Sequence, residues 1–444
     1  MTIPLVSRCL LSIWLLFVAF GANAEEPLNL NEPFSLKEPL NLKASLSLAE
    51  TIHLATQNQP LLQSLDDATA SVRQSAIAEG QLPDPKLKFG LINLPVTGSD
   101  ALRYSRDDQT MVNIGYSQEV IPLKKREIAS NRMSAEADQF QTEKIATARS
   151  IERDVASAWL NVYEAQRKAE LYQRIADEMT AERKVLAAGV SSGGAKTSEV
   201  LAMDTEIAMT HEKRIYAVRD ERKARAALAR WIGTSASRSI SFELPVMSNN
   251  LTNPANKAAA AAEIEKHPLL QNAHQSEKVA QLQVDITQAN LQRNWAWEVG
   301  YGKRFANRSD MLSFQVSIDL QFDRASRQDR RTAEKLVLVD KAQKITEDKR
   351  RELLADLEDA LADAQAAEAL ENVHLSSLIP NAKARLSVAQ AGYATGKNSL
   401  SDVWQARRAV IEIELDHWTI LTDRQHAAVK IGYLLNDNQL FKQY

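Results

Sequence analysis

The sequence predicts a mainly helical protein that carries a few short β-strands and is built twice over within one chain. Three observations lead there. Only 14 of 444 residues are Gly and 13 are Pro, a Gly share under half the usual ~7%, and so few chain breakers suit long helices. No Gly or Pro stands between Leu123 and Ala188, between Ala195 and Ile232, or between Lys303 and Ile379. Four stretches of about ten residues alternate apolar with polar side chains, which is the period of a strand.

Taken in order, residues 1–24 read as a cleavable signal peptide: Arg8, an apolar run from Cys9 to Phe20, then Ala22-Asn23-Ala24 before Glu25. Cys9 sits ahead of the apolar core, the wrong place for a lipid acceptor, so the exported chain is expected to be unlipidated and free of cysteine. Its charge becomes −4, with 53 basic and 57 acidic residues. Residues 25–46 hold three EPLNL-like pentads six residues apart, and a proline in each favours an extended strap over a helix. The strap either lies on a neighbouring surface or is a tether. Ser47 then reads as the N-cap of a helix through Gly80, with Glu50 completing a capping box.

The first repeat spans 47–233, with strands near 87–94 and 111–121 and long helices over 123–188 and 195–232. The 66 residues from Leu123 would form a rod of about 100 Å, against ~30 Å for an ordinary domain. Ile145, Ile151, Val155, Ala158, Trp159, Val162 and Ala165 recur along it at steps of three and four, the stripe of a helix packed on others. An inter-repeat equatorial segment, 234–256, follows. The second repeat spans 257–436, with strands near 295–304 and 311–322 and long helices over 324–391 and 398–435. A short tail, 437–444, ends the chain.

The duplication is visible in residues. Gln59-Pro60-Leu61-Leu62-Gln63 returns as His267-Pro268-Leu269-Leu270-Gln271, and Met111 to Val120 returns as Met311 to Leu320. Ala188-Gly189, Gly193 and Ser198-Glu199-Val200 return as Ala391-Gly392, Gly396 and Ser401-Asp402-Val403. Each half reads helix, strand, strand, very long helix, Gly-containing turn, helix.

After the signal no run of eighteen apolar residues occurs and mean hydropathy is −0.33, which excludes helical membrane spans but not barrel strands. The apolar members of the strands, Leu87, Phe89, Trp295, Trp297, Leu312, Phe314, Val316 and Ile318, are the expected lipid-facing set. Four strands cannot close a barrel, and an open edge is intolerable in hydrocarbon. Closure therefore calls for several chains: eight strands from two copies, twelve from three, with a lumen opening as the number rises.

The duplicated plan, the exit from a strand through Pro122 into Lys124-Lys125-Arg126, and Tyr393-Ala394-Thr395-Gly396 followed by Ser401-Asp402-Val403 resemble the TolC-type outer membrane efflux proteins, the outer membrane factors of tripartite pumps. The resemblance covers about Ser47 to Leu435. Gln81 to Leu87 and Asn93 to Gly98 look most like the branch serving heavy-metal cation efflux. The resemblance implies a homotrimer whose twelve-stranded barrel in the outer membrane continues into an α-helical periplasmic tunnel. It also implies a periplasmic adaptor protein and an inner-membrane pump of the resistance-nodulation-division class as partners, in a Gram-negative type envelope.

Conduction needs a lumen, a gate and a docking surface rather than a catalytic group. The tips Ser192-Gly193-Gly194 and Thr395-Gly396-Lys397 are the expected adaptor-docking sites, the plainer alternative being ordinary helix-breaking turns. Gly194 departs from the family, which often has an apolar residue there. Glu199 and Asp402 stand just beyond the tips, where threefold symmetry would make each a ring of carboxylates able to attract cations. The resemblance adds Tyr393, Asn398 and Gln405 as partners in a periplasmic gate. Asn398 and Gln405 are neutral here, so the expected closing network rests on hydrogen bonds. The plainer alternative is that both acids favour the helix macrodipole.

No Gly-rich phosphate loop, G-x-S-x-G or H-E-x-x-H motif is present, and the near-neutral charge lacks the excess of a nucleic-acid binder, so neither catalysis nor nucleic acid is expected. His267 and His274, seven apart, could share a helix face, but without cysteine or a third ligand no metal site or other cofactor is expected. Asp356, Glu358, Asp359 and Asp363 form a solvated or lumen-facing stripe. The competing readings are a duct for drugs or secreted polypeptides and, from another class, a periplasmic coiled-coil adaptor that never enters a membrane.

Overall fold

The fold was taken from a computed structural model that describes residues 45–57, 59–191, 193, 195–241, 244 and 257–436. The expected signal peptide, nearly all of the strap, much of the inter-repeat segment and the C-terminal tail therefore lie outside the described residues, as do Ser192 and Gly194 at the first tip.

The chain opens with α1 (Leu48–Thr56) and α2 (Pro60–Glu79), then β1 (Lys86–Ile92), β2 (Met111–Val120), α3 (Leu123–Ser191) and α4 (Thr197–Ile232). The second half repeats the order with α5 (Lys257–Ile264), α6 (Pro268–Ala289), β3 (Trp295–Arg304), β4 (Met311–Ile318), α7 (Gln328–Val373), α8 (Ile379–Ala394) and α9 (Leu400–Leu434). At 69 residues, α3 runs about 100 Å. It packs against α2, α4, α6 and α9, while α7 packs against α6 and α9. The mainly helical, duplicated plan with a small sheet agrees with the expected fold class.

Four details differ from the sequence reading, each for a local reason. The helix expected from Ser47 through Gly80 is two helices, because Pro60 cannot continue α1 and instead starts α2 at its first turn. The capping box at Ser47 is half made. Ser47 Oγ accepts from the Glu50 amide at 3.2 Å, but the Glu50 carboxylate takes both ends of the Arg238 guanidinium, at 2.6 and 3.2 Å. The strand expected to reach Phe322 stops at Ile318, because Ile318 pairs with Trp295, the first residue of its partner strand. The rod expected over 324–391 begins at Gln328 and passes through a π-helical turn, His374–Leu378, just before Pro380. Proline has no N–H to give and crowds the preceding turn, and the wider turn absorbs both defects.

Among the described residues four apolar clusters hold the helices, the smallest around Ala389, Val403 and Ala406. One surrounds Trp159, which is fully buried with Val155, Leu160 and Leu228 and donates its indole N–H to Leu46 O at 3.1 Å. Leu46 also pairs with Ile240 in a parallel bridge, tying the last residues of the strap to the inter-repeat segment. A second cluster joins Leu270 of α6, Leu353 and Leu357 of α7, and Ile431 and Leu434 of α9. The third, near the helix tips, joins Leu171, Ile175 and Met179 of α3 with Met203 of α4 and Leu400 of α9. Each large side chain so buried contributes about 1.5–3 kcal/mol. The α3 stripe is buried as expected from Ile151 to Ala165, but Ile145 is 55% exposed and faces outward.

Candidate functional site

The sheet is antiparallel throughout, in the order β1-β2-β3-β4. Each repeat supplies a hairpin, and β2 pairs β3 to join the repeats into one sheet. Register then sorts the side chains. One row across the four strands is Leu87, Tyr116, Val299 and Phe314, and the next is Phe89, Ile114, Tyr301 and Leu312. Trp297 faces Val316, and Trp295 faces Ile318. All eight residues singled out as lipid-facing thus share one face. That face is open: Leu312 is 78% exposed, Phe89 72% and Phe314 68%. The opposite face carries Lys86, Lys88, Ser117, Glu119, Glu298 and Gln315, with glycines between them. Among the described residues, β1 and β4 each keep an unpaired outer edge.

At the far ends of the helices the two tip glycines share one conformation. Gly193 and Gly396 adopt φ of +75° and +74°, in the left-handed region that glycine enters without cost. A Cβ at either would meet nothing within 4 Å, so only conformation keeps other residues out. Gly189 O accepts from the Ala195 amide at 3.3 Å, and its counterpart Gly392 O accepts from the Lys397 and Asn398 amides at 2.8 and 3.2 Å. Thr395, Gly396 and Lys397 are all exposed.

The expected gate residues are only partly brought together. The Glu199 carboxylate accepts from the Lys196 amide at 3.1 Å. Asp402 accepts from the Ser399 amide and hydroxyl at 2.9 and 2.7 Å, and these bonds hold its carboxyl below the usual carboxylate range. Both acids therefore cap the helix they begin. Tyr393 packs beside Leu400 and Val403, and burial, with Glu199 and Glu182 nearby, pushes its phenol up. Asn398 folds over Gly392 within its own tip, and Gln405 is exposed.

Contacts the sequence reading missed lie behind these tips. Arg183 of α3 holds Asp204 of α4 at two points, 2.5 and 3.1 Å. Arg407 of α9 pairs with Glu182 of α3, and Arg408 with Glu206 of α4. The second-repeat hairpin is thereby fastened to the first by charge. A cavity of about 130 Å³ lies among Met179, Met209, Trp404 and Ile411, rimmed by Arg407 and Arg408.

The histidines do not gather where their spacing suggested. His267 is fully buried and caps α6, accepting from the Leu269 amide at 3.3 Å, whereas His274 is exposed beside Glu277 at 3.5 Å. Among the described residues no group of three or more His, Cys, Asp or Glu could hold a metal ion. The acidic stripe is engaged by α9: Lys430 reaches Asp356 at 3.5 Å and Asp359 at 3.0 Å.

A sheet with one apolar face and free edges, set on paired rods with glycine tips, is a fold shared with solved outer membrane channels. Residues 260–437, in the second repeat, match the family model described as outer membrane efflux protein. The fold of nearly the whole chain agrees. It is similar to the outer membrane protein VceC from Vibrio cholerae, with TM-score 0.72 and 14% identity over 87% of this chain and 95% of that one. It is likewise similar to the CmeC outer membrane channel of Campylobacter jejuni, with TM-score 0.73 and 10% identity over 89% of both chains. CusC gives TM-score 0.73 and 14% identity, covering 90% of this chain and 95% of its own. No curated protein matches the sequence. What these comparisons share is the fold of outer membrane channels.

Proposed function

We propose that the chain is the outer-membrane exit duct of a tripartite efflux system, acting as a homotrimer. The observation that supports this best is the sheet: an apolar face with both outer strands unpaired needs lipid against it and further strands beside it. Three copies supply twelve strands and enclose a lumen. The helical rods then form a periplasmic conduit, whose glycine tips dock a periplasmic adaptor and, through it, an inner-membrane pump of the resistance-nodulation-division class. Transport is passive in the duct, the pump supplying the energy. The cargo class we infer is heavy-metal cations, on the resemblance of Gln81 to Leu87 and Asn93 to Gly98. Those segments form the approach to β1 and the outer loop after it.

The barrel reading is tested by replacing Phe314 and Val316 with Asp. A lipid-facing strand should then fail to insert, and the trimer should disappear from the outer membrane fraction. A double variant that still arrives there as a trimer would mean the face touches no lipid, as in a periplasmic adaptor. The cargo is tested by exposing a deletion strain to metal salts and, in parallel, to dyes and antibiotics. Sensitivity to the second set alone would overturn the metal assignment.

A further inference from the structure

We propose that the Lys88–Glu298 ion pair sets the charge selectivity of the lumen; this rests on the reading that the polar face of the sheet lines a channel. Lys88 lies on β1 and Glu298 on β3, with β2 between them, so the pair spans two strand spacings, about 9.6 Å of wall. Lys88 Nζ nevertheless stands 2.5 Å from Glu298 Oε2. It crosses β2 at Gly115, where an added Cβ would sit 3.2 Å from Glu298 Oε1 and 3.7 Å from Lys88 Cβ. Any larger residue at this position would prop the pair away from the wall. The lysine is half exposed and the glutamate 24% exposed, so both charges are within reach of a solute.

The surroundings make this pair the place where charge can matter. β1 and β2 meet the helices at Lys86 and Val120, so the rows run from Glu119 at the helix end toward the loops at the other. Lys86, Ser117, Glu298 and Gln315 share one row, while Lys88, Gly115, Gly300 and Ser313 share the next. Beyond these the polar face carries Gly90, Asn113, Gly302 and Met311, all uncharged, and ends at Arg304, whose guanidinium donates to the Ser309 and Asp108 carbonyls of the loops. Strand charge on this face thus lies in a narrow band at the helix end and in the loop-held Arg304 at the other. Within that band, the pair lies flat and presents no net charge. Removing one partner leaves the other without its counter-charge, once per protomer and all at one level, where a low-dielectric wall concentrates its field.

The experiment uses the full-length protein purified in detergent and inserted into planar bilayers under a potassium chloride gradient, with trimers checked on unheated gels. Lys88→Met should raise the cation-over-anion permeability ratio at least about twofold, and Glu298→Gln should lower it by a similar factor. The swap Lys88→Glu with Glu298→Lys should return the wild-type ratio. Gly115→Val keeps both charges but parts them, and should change single-channel conductance. Wild-type pores whose selectivity is unmoved by either single variant would overturn the inference and leave the channel reading intact. Wild-type trimers that form no pore at all would overturn the channel reading itself.

Discussion

His374 and His417 face each other across the seam between the π-turn and α9, ring centroids 6.0 Å apart and planes 20° from parallel. His374 is buried, and the Nδ1 atoms of both rings are out of solvent without a hydrogen-bond partner. The pair separates the apolar cluster around Leu353 and Leu357 from the one around Ala389 and Val403.

That placement gives a pH dependence with a definite sign. Burial lowers the His417 ring below its ordinary value, with His374 adding to it and Glu371 and Glu414 opposing. Burial likewise lowers His426 against Glu164 and Asp423, and takes His267 down to about 4. Each therefore binds its proton more readily unfolded, so stability is full above the unfolded value near 6.5 and falls as pH drops through it. For His267 the loss continues to about pH 4. Asp423, raised by burial and Glu164, acts the opposite way and blunts the fall. Melting temperature should drop between pH 7.5 and 5, and His417→Asn should flatten part of that slope. A pH-independent Tm would show that the layer admits protons freely.

The capping acids are to be separated from gate acids by two readouts. Asp402→Ala removes the acceptor for the Ser399 amide and hydroxyl and should lower Tm, whereas Asp402→Asn keeps an acceptor and should lower it less. In bilayers, Glu199→Gln with Asp402→Asn should raise conductance or reduce cation preference. Unchanged traces would confine both acids to capping.

The ion pairs between hairpins should act as a latch. Arg407→Glu with Arg408→Glu sets like charges against Glu182 and Glu206 and should raise mean conductance, with trimers intact. Adding Glu182→Arg and Glu206→Arg should restore the original trace. Failure of the restoration would place the effect elsewhere on α9.

At the tips, Gly193→Glu with Gly396→Glu should abolish efflux while leaving folded trimers. The left-handed backbone makes each substitution cost about 1–2 kcal/mol, small for long packed helices, and the added bulk would stand where a partner approaches. Undiminished resistance in cells carrying this variant would mean the tips touch nothing.

The parts legible in the sequence are those fixed locally. Period-two alternation places Leu312 and Phe314 on one face whatever strand lies beside them, and a glycine in the left-handed region marks a helix tip without knowledge of the partner helix. Pro60 and Pro380 were legible too, but the length of the surrounding helical pattern hid that one breaks a helix and the other is absorbed by a π-turn. The pairs Arg407–Glu182 and His374–His417 were not legible. Their members lie on different helices, 225 and 43 residues apart, and only the docking of α9 brings them together. Asn398 obeys a local rule: with Gly392 beneath it, its nearest contact lies within its own tip.

The π-turn before Pro380 has a mechanical consequence. The first-repeat rod is one uninterrupted helix of 69 residues, whereas its counterpart is spliced at His374–Leu378, where regular hydrogen bonding gives way. A stiff strut and a jointed one thus both pack on α6 and α9. Load applied at the tips will bend the second at its splice while the first holds length, and amide exchange along that rod should be fastest there.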